Sequence, residues 1–60
     1  MNVQSLHKAI VYAQDIANSS GLASAVYKPF NSDSYEVVLG WRETCEAEAH
    51  ENFVGRFVPE

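Results

Sequence analysis

An α+β fold with the element order α-β-β-α is expected from three features of this sixty-residue chain. An apolar period of three and four residues runs through its first third. Two segments of alternating character follow, and then comes a stretch rich in alanine and glutamate.

The first helix is expected over residues 3–18. Val3, Leu6, Ile10, Ala13 and Ala17 recur at helical spacing, Ala9 and Ile16 widen the stripe, and Gln4, His7, Lys8, Gln14, Asp15 and Asn18 take the other side. Asn2 is a candidate N-cap. Gly21 supplies the left-handed stop, with Leu22 where a Schellman motif places its apolar contact. Val11 falls among the polar positions and Tyr12 at the margin of the stripe. Both read either as ordinary surface scatter or as a second contact surface.

An antiparallel hairpin is expected over 23–41. In its second strand Tyr35, Val37, Leu39 and Trp41 alternate with Glu36, Val38, Gly40 and Arg42, and the loop Asn31-Ser32-Asp33-Ser34 consists of turn formers. A register with Phe30 facing Tyr35 would set Val26 against Leu39 and Lys28 against Val37. The lysine stem would then have to reach the sheet margin. Pro29 cannot donate to a ladder, which suggests an edge position for the first strand. Tyr27 and Val38 make the opposite face partly apolar. Two strands alone are marginal, so helices should cover one face, and a partner's hairpin offers a way to extend the sheet.

The second helix is expected over 43–54, where Cys45, Ala49 and Phe53 line up one turn apart, Thr44 is a candidate N-cap and Gly55 a stop. Alternation of Cys45, Ala47 and Ala49 leaves a strand as the weaker alternative. Residues 55–60 form a tail that either packs Phe57 on the body or adds a short edge strand. Tyr35, Trp41, Phe53 and Phe57 are expected in the core.

Sixty residues make one domain, and the balance of its folding terms is thin. A chain of this mass buries ~5,800 Å² on folding. If ~60% of that is apolar, burial contributes about 87 kcal/mol, against roughly 90 kcal/mol for ordering the chain. With a single cysteine no internal disulfide is available, and His7, His50 and Cys45 do not complete a metal set without carboxylates. Self-association as a homodimer is therefore expected, with no cofactor. A lone cysteine suits a reducing, cytoplasmic setting. No segment has the length of a membrane span, and the N-terminus lacks the form of a signal peptide.

Catalytic chemistry is not signalled. Glu46 and His50 sit at a spacing two metal ligands can use, yet an acidic helix face explains them as well. Cys45 is surrounded by Glu43, Glu46 and Glu48, which oppose thiolate formation, and is better read as a small core residue. Net charge is −4, with four scattered cations, a poor match to nucleic-acid phosphates. Candidate partner-binding residues are Val11, Tyr12, Tyr27 and Val38, for their apolar area outside the core stripes, and the acids Glu43, Glu46, Glu48 and Glu51.

The α-β-β-α order resembles half of a double-stranded-RNA-binding fold, but the third strand and the basic phosphate-contacting stretch are not evident. In size, acidity and lack of a catalytic motif the chain is similar to the small accessory early proteins of lambda-like temperate bacteriophages. That resemblance implies a non-enzymatic protein that binds a host or phage component, and it assigns no site residue. The expected function is protein binding. The alternatives are an acidic competitor for a basic nucleic-acid-binding groove, and a nucleic-acid-binding module assembled on a dimer from Lys28, Arg42 and Arg56.

Overall fold

A computed structural model describes residues 2–60, with side chains from Val3 onward. The fold is α+β: β1 (Asn2–Val3), α1 (Leu6–Ser20), β2 (Ser24–Tyr27), β3 (Tyr35–Leu39), α2 (Trp41–Glu48) and β4 (Phe53–Phe57). The four strands form one sheet in the order β1-β3-β2-β4, every neighbouring pair antiparallel. It follows that β1 and β2 run the same way with β3 between them, and β3 and β4 run the same way with β2 between them. Two strand–helix–strand crossovers are thus interleaved.

Both crossovers step in the same lateral direction but start from strands that point oppositely. If each has the usual right-handed sense, their helices must fall on opposite faces. They do. Ala9 and Ala13 of α1 pack with Val26 and Val37, joined by Val3, Tyr12, Ile16, Tyr35 and Phe57. On the other face α2 meets the residues that alternate with these: Arg56 pairs with Glu48 of α2, and Tyr27 stacks on His50 just beyond it. The two helices do not touch each other. Both sheet faces are therefore covered, rather than the single face expected.

Helix α1 begins three residues later than its sequence pattern suggested. Asn2 belongs to β1, and Ser5 is the cap, its hydroxyl accepting from the Lys8 N–H at 3.3 Å. The helix runs on to Ser20, where Gly21 adopts φ 74° and donates its N–H to the Ala17 carbonyl. Its buried line is Ala9, Ala13 and Ala17, while Leu6 lies at the exposed first turn. Alanine lets the helix backbone come close to the sheet. Close enough, in fact, that the buried Ser24 hydroxyl donates to the Ala13 carbonyl at 2.6 Å.

The hairpin register differs by two residues from the one expected. Val26 faces Val37, Ala25 faces Val38 and Ser24 faces Leu39. A strand that stops at Tyr27 places Pro29 outside the ladder, so proline does not make β2 an edge. That strand is central, paired on one side with β3 and on the other with β4. Lys28 is consequently spared burial, with its Nζ 6.0 Å above the Tyr35 ring.

After β3 the chain turns directly into α2. Gly40 sits between them at φ 113°, a backbone conformation that side chains rarely adopt. Thr44 is not the cap but a buried residue of the second turn, its hydroxyl donating to the Gly40 carbonyl at 2.6 Å. The helix ends at Glu48, and Phe53 belongs to a strand, so 43–54 is not one helix. Residues 53–57 close the far side of the sheet as β4, which takes over much of the expected tail. The sheet is therefore extended by the chain's own β1 and β4.

Two expected core residues are outside. Trp41 is 55% exposed and Cys45 is exposed, because α2 turns Thr44 and Ala47 to the sheet. The accessible surface, 3892 Å², is close to the ~3,900 Å² that folded chains of this mass present. What is thin is the composition of the interior. Among the described residues, six of the eight buried hydrophobic ones are alanine and the other two valine.

Such an interior has little room for larger groups. Ala13→Leu is expected to destabilise the fold by about 1–3 kcal/mol through overpacking against β2, measured as a lower urea midpoint with an unchanged slope.

Candidate interaction surface

The loop joining β2 to β3 presents the most exposed large apolar side chain among the described residues. Phe30 is 81% exposed. Single exposed apolar residues are ordinary, but this one is carried on a hydrogen-bonded turn. The Ser32 N–H donates to the Pro29 carbonyl at 3.2 Å, and Asn31 takes φ 62°. This is the form of a type II turn, whose third residue needs a positive φ that asparagine tolerates. The following residues are tied too: the Ser32 hydroxyl accepts from the Ser34 N–H at 3.1 Å and lies 3.2 Å from the Ser34 carbonyl. Contact at this loop therefore costs little further ordering of the backbone that carries the ring.

Beside Phe30 lies a shallow, open groove of about 400 Å³ lined by Lys28, Phe30, Ala49, His50, Glu51 and Asn52. One wall is the β2–β3 loop and the other is the turn between α2 and β4. The Lys28 N–H donates to the Asn52 carbonyl at 3.1 Å, which joins the two walls. The turn is wound tightly. Ala49, His50 and Phe53 each donate a backbone N–H to the carbonyl three residues earlier. His50 is held further by Tyr27, the two rings stacked with centroids 4.2 Å apart. The groove is therefore a product of local bonding in both segments.

The candidate residues from the sequence fall in several places. Tyr27 and Glu51 belong to this region, Tyr27 half-buried under His50 and Glu51 on the groove wall. Val38 is half-buried opposite Ala25, on the side of the sheet that α2 covers. Tyr12 packs on the core, and Val11 stands 46% exposed on α1. Glu43, Glu46 and Glu48 are exposed on α2. Arg42 pairs with Glu46 at 3.5 Å and Arg56 with Glu48 at 3.4 Å. These contacts are exposed and contribute little to stability, but they commit two of the four cations to the chain's own acids.

His50 does not share a helix face with Glu46, since α2 has ended before it. Among the described residues, no three or more histidine, cysteine or acidic side chains are grouped to hold a metal ion. Nor is any helix long and apolar enough to cross a membrane. Phe30 was missed as a surface residue because the alternating pattern carried the strand through Pro29. The usable signal was Pro-Phe-Asn-Ser, in which proline ends the ladder and Asn permits the left-handed residue.

Comparison with protein-family models, with curated proteins and with solved structures finds no match.

The exposure of Cys45 is directly measurable. In the native protein a thiol reagent is expected to label it completely in one phase, at a rate within about tenfold of that in denaturant; protection of the kind a core thiol shows would contradict its placement on the outer side of α2.

Proposed function

We propose that this chain is a small non-enzymatic protein that acts by binding another protein, with the Phe30 prong and its neighbouring groove as the contact surface. The observation that carries the reading is the combination of an 81% exposed phenylalanine with the hydrogen-bonded turn whose backbone presents it. Interfaces draw most of their energy from a few aromatic anchors set in preorganised surroundings. A phage accessory role, acting on a host component in the cytoplasm, is the wider setting that the resemblance in size and acidity implies.

The acidic-competitor reading has less support. Glu46 and Glu48 already have cationic partners on the same chain, which reduces the charge that α2 offers to a basic groove. The same pairs engage Arg42 and Arg56, two of the three cations that a nucleic-acid module would need. Lys28 stands apart from them, above Tyr35.

Capture from lysate by the tagged chain separates these readings. Phe30→Ser is expected to remove the captured protein while leaving the circular dichroism spectrum unchanged. Reversal of Glu43, Glu46, Glu48 and Glu51 to lysine is expected to weaken capture far less. Loss on charge reversal alone would transfer the function to the acidic helix, and salt-sensitive retention of nucleic acid would favour the third reading.

A further inference from the structure

Phe30 is both a projection and a wall of the groove beside it. A surface on which knob and hole adjoin is suited to a two-fold contact, in which residue i of one molecule meets residue j of the other and the reverse. We infer that the groove receives Phe30 of a second copy of this chain, so that two molecules exchange phenylalanines reciprocally. The inference rests on the protein-binding reading above: a second copy occupies the same surface, so any other protein that binds through Phe30 competes with self-pairing.

Two features favour a second copy over an unrelated partner. First, the groove's volume of about 400 Å³ leaves ample space for one ring, and its opening lets a ring enter without rearrangement. Its lining includes His50, whose ring is held in place by stacking on Tyr27 behind it.

Second, the charges on the groove are self-complementary. Lys28 and Glu51 both line it, one from each wall. A two-fold axis between the walls brings Lys28 of each copy toward Glu51 of the other. The Lys28 ammonium is available for this, because its place 6.0 Å from the Tyr35 centroid is at the outer limit of a cation–π contact. The remaining acids of α2 would repel a like molecule and oppose pairing if they lay in the contact. Glu43, Glu46 and Glu48 lie on the helix rather than on the groove, so this arrangement leaves them outside the contact.

Sedimentation of the full chain across the micromolar range, with variants, tests the inference. The wild type is expected to pass from monomer to dimer as concentration rises. Phe30→Ser should weaken the dimer on the order of tenfold or more while its thermal unfolding at low concentration stays as in the wild type. Lys28→Glu alone should weaken the dimer, and Lys28→Glu combined with Glu51→Lys should restore it. Rescue by the double exchange cannot arise from misfolding, so the charge pair decides the matter even if the Phe30 variant folds poorly. A wild type that stays monomeric throughout, or a dimer indifferent to both Phe30→Ser and Lys28→Glu, overturns the inference. If the monomeric wild type still loses its captured protein on Phe30→Ser, only the second copy is rejected. If capture is also indifferent to Phe30, the binding surface itself is rejected.

Discussion

Strand β2 has a helix against each of its faces, and this constraint shapes the rest of the molecule. The strand's buried side chains are small, which lets both helix layers lie close to it. Ala23 just before it and Ser24, Ala25 and Val26 along it are all fully buried. From one side Ser24 bonds to the α1 backbone; from the other the Thr44 hydroxyl approaches the Ala23 carbonyl at 3.4 Å. These polar contacts hold the layers where larger apolar groups would do so in a bigger protein. Both hydroxyls have a partner, which keeps their burial from becoming a penalty.

The shortage of apolar volume follows from that arrangement. Closeness of layers is gained by giving up bulk, so the larger hydrophobic side chains are left at the margins. Phe57, Tyr35, Tyr12 and Ile16 cover the rim of the α1 layer, while Trp41 and Val54 remain on the outside of the molecule. The total accessible surface is ordinary for the mass, so the chain is not unusually open. The argument for a partner thus shifts from the amount of surface buried to the character of one exposed site, the aromatic on the turn between β2 and β3.

Much of the layout was legible in the sequence. The helical period placed α1, strict alternation placed β3, and Gly21 marked the first helix end. The errors share a cause. Trp41, Cys45, Ala49 and Phe53 form a helical stripe on paper, but Gly40 starts the helix earlier and the turn at 49–52 ends it before that stripe is complete. Period alone cannot tell which part of a stripe is cut off by a turn. β4 was ambiguous for a different reason: a five-residue segment with a central glycine has weak strand character until β2 lies beside it. The two-residue β1 carries no periodic signal at all. Of the interaction surface, Tyr27 and Glu51 were visible as candidates, whereas Phe30 was hidden by the assumption that the ladder continued past proline.

The position of Trp41 has a practical meaning for spectroscopy. It is the chain's sole tryptophan, and more than half of its surface already faces water in the native fold. Its emission therefore begins close to the wavelength of a hydrated indole, and unfolding gives it little further to travel. The thiol of Cys45 follows one turn along the same helix, an available quencher in the folded form. Intensity, rather than colour, is the optical property through which this molecule announces a change at α2.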